Sequence, residues 1–199
     1  MKVPTALHDI TPLSLQVAAG AWRDRLASLG HPLVGVAVGG DLRGRPFSET
    51  DAERLTRGLQ RLRRDFGASL AITPSRRTPP SALALITKTF EADERVFVWD
   101  LKGDNPYRGI LALADSLVVT TDSVSMVSEA IATGRPVFVL DLDFPRHRSF
   151  VQNLVDQGLA IRFDGSMPQS PAPGPGFDSM TRVANRVRKL VQARTGVMG

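Results

Sequence analysis

Residues 116–140 read SLVVTTDSVSMVSEAIATGRPVFVL. A valine-rich apolar run (116–120) passes through a cluster of hydroxyls and carboxylates into residues with helical spacing. Gly134 and Pro136 then stand where a helix should stop, and a second apolar run follows at 136–140. Glycine just past the last periodic residue, with proline beyond it, is a helix-termination signal. The stretch therefore reads as strand, helix, strand. Its strands are nearly continuous in apolar residues rather than alternating, as expected where both faces of a parallel sheet are covered.

The same alternation extends in both directions. LVGVAV (33–38), SLAIT (69–73) and RVFVW (95–99) read as further strands, and LAIRF (159–163) as a shorter sixth. Between them, residues 12–29 place Leu15, Ala19, Trp22, Leu26 and Leu29 on one helical face. Residues 50–66 open with Thr50 and Glu53 at capping-box spacing. TPPSALALITKTF (78–90) puts proline at a helix start. Repeated β–α alternation predicts an α/β fold: a doubly wound, mainly parallel, Rossmann-like sheet of about six strands with right-handed crossovers.

The 199 residues suit one domain, with a linker and helix over 1–29, a flexible Pro/Gly-rich loop over 164–177 and a final helix over 178–194. No cysteine is present, which excludes disulfides, thiolate metal sites and cysteine nucleophiles. The three histidines have no metal-ligand spacing, so no metal and no required cofactor are expected. No apolar run approaches a membrane span, and the first residues lack the apolar core of a signal peptide. The expected location is cytoplasmic, or peripheral at the inner membrane. The net charge of +5 raises nucleic acid as a partner. Arg54, Arg57, Arg61 and Arg64, however, lie opposite Ala52, Leu55, Leu59, Leu62 and Phe66, which reads as the solvated side of an amphipathic helix. No aromatic stacking platform accompanies them, and nucleic acid is disfavoured.

Ligands of open parallel sheets bind outside the carboxyl ends of the strands. The loops at those ends carry the chemistry here: GGDLRGR (39–45), PSRRTPP (74–80), DLKGDNPY (100–107), the TTDSVS turn and DLDFPRHR (141–148). Gly39 and Gly40 could bring backbone amides close to an anion, although a simple tight turn explains them equally well. Neither a GxGxxG fingerprint nor a P-loop is present. Arg76 and Arg77 suit bidentate contact with phosphate. A helix beginning near Ser123 would aim its free amides at the same edge, joined by the hydroxyls of Thr121, Ser123 and Ser125. Glu129, six residues beyond Ser123, could accept hydrogen bonds from a ribose diol. Simple helix capping accounts for one or two of these residues.

TDSVSMVSEAIATGRPVFVLD resembles the donor-binding segment of GT-B enzymes, in which hydroxyl-rich residues precede a helix carrying a ribose-binding glutamate. It is similar to the corresponding segments of the lipid II glucosaminyltransferase and the non-hydrolysing UDP-sugar 2-epimerases, which carry Gly-Gly where this chain has Val124-Ser125. A wider resemblance rests on VGGDLRGRPFSETDAERL, TPSRRTPP, WDLKGDNPYRGILALADSLVVTTDSVSMVSEAIATGRPVFVL and the RH-x-SF segment at 146–150. Together these resemble the mitochondrial-fission-associated family of plant elongated-mitochondria proteins and their bacterial relatives. The arginine-dominated basic complement suits a GC-rich bacterial genome.

The resemblance implies the C-terminal, donor-binding half of a GT-B fold, binding a nucleotide or nucleotide sugar. Gly39, Gly40, Arg76, Arg77, Thr121, Ser123, Ser125 and Glu129 would contact the nucleotide. Asp104, Asn105, Asp143 and Arg146 would lie at the cleft edge, and His147 is the candidate acid or base. GT-B proteins of two halves are longer, so the chain is expected to be a fragment or a short homologue. It would then expose apolar surface on the 12–29 helix, including Trp22, and be inactive without an N-terminal half. The alternative is a non-enzymatic protein-interaction module with the same fold.

Overall fold

The computed structural model describes residues 3–167, 174, 176 and 179–195. Its elements are α1 (Pro12–Ala27), β1 (Leu33–Val38), α2 (Glu49–Phe66), β2 (Ser69–Pro74), α3 (Pro80–Phe90), β3 (Val96–Val98), α4 (Tyr107–Leu113), β4 (Ser116–Thr120), α5 (Val124–Ala132), β5 (Val137–Leu140), α6 (Arg148–Asp156), β6 (Ile161–Arg162) and α7 (Ser179–Thr195). The Pro/Gly-rich loop expected at 164–177 falls mostly outside the described residues.

The six strands pair in parallel in the order β3-β2-β1-β4-β5-β6. Strand order reverses between β1 and β4, which makes their carboxyl ends the switch point of a Rossmann-like sheet. The pleat of β1 shows how the layers form. Val34, Val36 and Val38 join Leu55, Leu59, Leu62 and Ile86 of α2 and α3 in one core. Ala37 joins a second core with α5 and α6, and Leu33 a third with α1 and α4. A side chain at Gly35 would strike Ile110 and Leu117, so α4 packs on bare backbone there.

Two local expectations need correction. The capping box of α2 is Ser48 with Asp51, two residues before the predicted Thr50 and Glu53. Ser48 accepts from the Asp51 amide at 3.2 Å, and the Asp51 carboxylate accepts from the Ser48 amide at 2.9 Å. Trp22 is buried rather than exposed: it packs where a side chain at Gly109 would stand, with its ring centroid 6.4 Å from that of Phe97. The large apolar residues that α1 exposes are Leu13 and Val17.

Candidate functional site

The turn from β4 into α5 is fixed by its own polar residues. Ser123 is the N-cap, accepting from the Met126 amide at 3.4 Å. The amides of Val124 and Ser125, first in the helix, have no acceptor within it. Ser125 is exposed and Ser123 half-buried, so two hydroxyls flank the positive end of a nine-residue helix.

Thr121 is not available in the same way. It is fully buried, and its hydroxyl accepts from the Leu142 amide at 3.0 Å, tying the end of β4 to the loop after β5. Gly39 and Gly40 also depart from expectation. The Gly39 amide donates to Thr120 Oγ1 at 2.7 Å, and the Gly40 amide to Asp122 Oδ2 at 2.8 Å. Thr120 in turn donates to Asp122 Oδ1 at 2.7 Å. A side chain at Gly39 would overlap the Asp122 carboxylate, and one at Gly40 the Arg77 carbonyl. These glycines permit close packing inside the protein, and their amides are already taken. Burial pushes the Asp122 carboxyl above its usual range, against the hydrogen bonds from Thr120 and Gly40 and the charge of Arg77.

The structure separates the paired arginines. Arg77, still exposed, leans back along the sheet edge, donating to the Asp41 carbonyl at 3.0 Å and lying 3.5 Å from Asp122. Arg76 lines an open cleft of about 600 Å³ between the ends of β2 and β3. Thr73 and Ser75 form its β2 side, Trp99, Leu101 and Asn105 its β3 side, and Tyr107 and Met126 are contributed by α4 and α5. The Trp99 indole donates to the Lys102 carbonyl at 2.8 Å, which fixes the ring across its loop. Leu101 and Gly103 turn that loop at φ of 68° and 67°.

Tyr107 links the cleft to Glu129. Its hydroxyl donates to Glu129 Oε2 at 2.6 Å. Burial, reinforced by the neighbouring carboxylate, pushes the phenol well above its usual range, so it remains a donor at neutral pH. Glu129 is half-buried and retains acceptor capacity on Oε1.

The remaining candidates are dispersed. Asn105 lines the cleft and accepts from the Tyr107 amide at 2.9 Å. Asp104 lies in a neighbouring groove, 3.5 Å from Arg25. Asp143, at φ 53°, pairs with Arg148 at 2.8 Å, and Arg146 is exposed. His147 Nδ1 is 2.7 Å from the Thr121 carbonyl. A carbonyl only accepts, so Nδ1 carries the proton and the neutral ring keeps its lone pair on Nε2. This imidazole lies on the β5 side of Thr121, whereas the cleft opens on the β2 side.

Sequence reasoning missed Trp99, Leu101, Tyr107 and Met126. The signal lay in NPY (105–107), which holds the chain's one tyrosine at the start of a helix too short to show its period. Among the described residues, no cluster of three His, Cys, Asp or Glu could hold a metal, and no helix is long and apolar enough to cross a membrane.

The all-parallel sheet, its strand order and the cleft at its carboxyl edge define a Rossmann-like domain of the GT-B kind, the fold class of many glycosyltransferases and nucleotide-sugar epimerases. A provisionally assigned UDP-N-acetylglucosamine 2-epimerase from Listeria monocytogenes superposes with a TM-score of 0.55 at 14% identity, over 96% of this chain and 50% of that one. The profile described as Mitochondrial fission ELM1 matches residues 1–191, and the chain belongs to that family. Mitochondrial fission protein ELM1 of Arabidopsis thaliana is 35% identical over 192 residues, 95% of this chain and 45% of the plant protein. An uncharacterised protein of Rickettsia prowazekii (strain Madrid E) is 29% identical over 137 residues, 66% of this chain and 39% of the rickettsial one. The chain thus spans less than half the length of the curated relatives it matches.

Proposed function

We propose that the carboxyl-edge cleft binds a nucleotide, with a nucleotide sugar as the favoured ligand class. The observation that carries this reading is the hydrogen bond from Tyr107, which lines the cleft, to Glu129 of α5, the helix whose first turn brings Met126 to the same cleft. The diphosphate would take the first amides of α5, the hydroxyls of Ser123 and Ser125, and Arg76. Glu129 would accept from the ribose through Oε1, and Trp99 with Leu101 would supply an apolar wall for the base. Gly39, Gly40, Thr121 and Arg77 hold this edge in shape rather than touch the ligand. The gathered groups are recognition groups, so the proposal is one of binding.

Calorimetry with UDP, CDP and ADP tests it. Arg76→Gln should weaken the nucleotide that binds by about tenfold, the scale of one charge-assisted contact. Arg77→Gln should chiefly lower stability. The reverse pattern, or binding indifferent to both changes, overturns the assignment.

A protein-interaction role has one observation in its favour. α7 is exposed almost all round, with Met180, Val187 and Leu190 uncovered along it. Pull-down of a defined partner that is lost on Val187→Asp, with nucleotide binding absent, would favour that reading.

A further inference from the structure

The arginine stripe of α2 reads in the sequence as a solvated face, but three of its members converge on a small pocket. Arg54, Arg57 and Arg61 line a recess of about 180 Å³ between α2 and the segment after β6. Its floor is built by close packing. Gly58, in the middle of α2, is where Phe163 seats: an added Cβ would lie 2.7 Å from the Phe163 ring. Gly165, at φ 93°, brings its backbone against Gly58. A glycine inside a helix costs about 1 kcal/mol relative to alanine, and here it is what allows the recess to exist.

The guanidinium groups are restrained without being neutralised. Arg54 donates one N–H to the Asp141 carbonyl at 2.7 Å, and Arg61 one to the Asp164 carbonyl at 3.4 Å. Each keeps further N–H groups of its fork for another acceptor. The nearby carboxylates are engaged elsewhere. Asp141 pairs with Arg162, and Asp164 accepts from the Ser166 amide and hydroxyl at 2.9 and 2.6 Å. Arg57 meets only the exposed Glu53, at 3.4 Å. Among the described residues, neither Arg54 nor Arg61 forms an ion pair within 4.0 Å. The carboxyls of Asp164 and Asp65, lowered first by hydrogen bonds from Ser166 and Arg64, are nevertheless lowered further by the charge of Arg61.

We infer that this recess is a binding site for a small phosphate group, separate from the nucleotide cleft. Its size is below the roughly 300–1,000 Å³ of drug-sized ligand pockets, so it fits a phosphate or diphosphate rather than a whole nucleotide. Three arginines offer planar forks suited to phosphate oxygens. Asp164, at the rim, disfavours direct approach from its own side and leaves the α2 side as the anion's seat. The phosphate arrives either free or as a lipid headgroup.

The test titrates inorganic phosphate and pyrophosphate into the protein at constant ionic strength, followed by calorimetry. Sedimentation with phosphatidylcholine vesicles, with and without phosphatidic acid, runs in parallel. The recess should take one equivalent saturably, told apart from phosphate held in the cleft by its persistence in Arg76→Gln. Arg54→Gln combined with Arg61→Gln should weaken that binding by about tenfold or more, while Arg76→Gln in the cleft leaves it unchanged. Co-sedimentation specific to phosphatidic acid, with the same arginine dependence and weak binding of the free anions, identifies the headgroup as the source. Should the double variant fail to fold, Arg57→Gln is the substitute, since Arg57 makes only an exposed contact. Equal phosphate affinity in wild type and variant overturns the inference. So does loss of binding only in Arg76→Gln, or an arginine-dependent affinity for an oligonucleotide with none for the small anions.

Discussion

Replacing Glu129 by glutamine isolates the ribose contact from the fold. The Tyr107 hydroxyl, 2.6 Å from Glu129 Oε2, makes a hydrogen bond to a charged group, of the kind that contributes about 1.5–3 kcal/mol. Glutamine retains a carbonyl acceptor for Tyr107, so Glu129→Gln should cost only about 0.5–1.5 kcal/mol of stability, the scale of a neutral bond. Glu129→Ala would strand a half-buried phenol and should cost more, about 1–3 kcal/mol. Ligand affinity responds differently. If Oε1 accepts from a ribose hydroxyl, the wild type should prefer a ribonucleotide over its 2′,3′-dideoxy analogue by about ten- to hundredfold. Glu129→Gln should remove most of that preference. Calorimetry on two ligands and two proteins closes the cycle, and an equal preference in both proteins refutes the ribose role. The phenol adds a pH signature. Its folded pKa is raised by burial and by Glu129, so its stabilising contribution is fully present below the unfolded pKa of 10.0 and is lost as pH rises beyond it. Stability should fall by about 1.4 kcal/mol per pH unit in that range. Tyr107→Phe should remove this component of the alkaline decline; an unchanged slope would show that the phenol is not the group responsible.

Gly39→Ala places a methyl group on the Asp122 carboxylate and should destabilise the fold by about 1–3 kcal/mol or more; a denaturation midpoint matching the wild type would refute the close packing. Asp51 gives an acid-side signature. Burial opposes its charge, but the Arg45 fork at 2.7 and 3.1 Å and the bonds from Ser48 outweigh that, and its pKa is lowered. Its contribution is therefore fully present above the ordinary value of 3.8 and lost as pH falls through the depressed one. Asp51→Asn should cost about 1–3 kcal/mol at neutral pH, with the gap from wild type narrowing in denaturation curves taken progressively below pH 3.8. A gap independent of pH would refute it.

The strands were legible because burial on both faces leaves an almost unbroken apolar run. Predicted and observed bounds coincide for β1 and β4 and differ by at most two residues at either end of the others. Two short helices, α4 with seven residues and α6 with nine, were not legible, because neither is followed by the glycine-then-proline stop that marks the equally short α5. Local spacing also misplaced the start of α2, where Ser48 with Asp51 and Thr50 with Glu53 share the same separation. The choice is made by contacts from the preceding loop: Arg45 grips Asp51, and the Phe47 amide donates to Asp41 at 2.8 Å. At the candidate site, residue type pointed to the right edge of the sheet but not to which polar groups are free. Arg76 and Arg77 are adjacent and chemically identical, and only the fold turns one into the cleft and the other towards Asp41 and Asp122. Trp99 carried no polar signature, and its place in the cleft depends on a loop turning through positive φ.

The two glycines and Asp122 explain why the cleft lies to one side of the switch point. Helices leave β1 and β4 toward opposite faces of the sheet, which opens a gap between the carboxyl ends of those strands. Amides bordering such a gap are natural anion donors. In this chain a carboxylate from the same turn fills that role. Asp122 takes the Gly40 amide and the Thr120 hydroxyl, with Arg77 close by, and the Gly39 amide goes to Thr120. An internal carboxyl group thus occupies the gap and braces the β4–α5 turn from beneath. The consequence for recognition is geometric: the first amides of α5 are held at a fixed height above the sheet, with the open volume beside them over β2 and β3. A phosphate bound at α5 is therefore directed, with the rest of its nucleotide, toward Arg76, Tyr107 and Trp99 rather than toward Gly39.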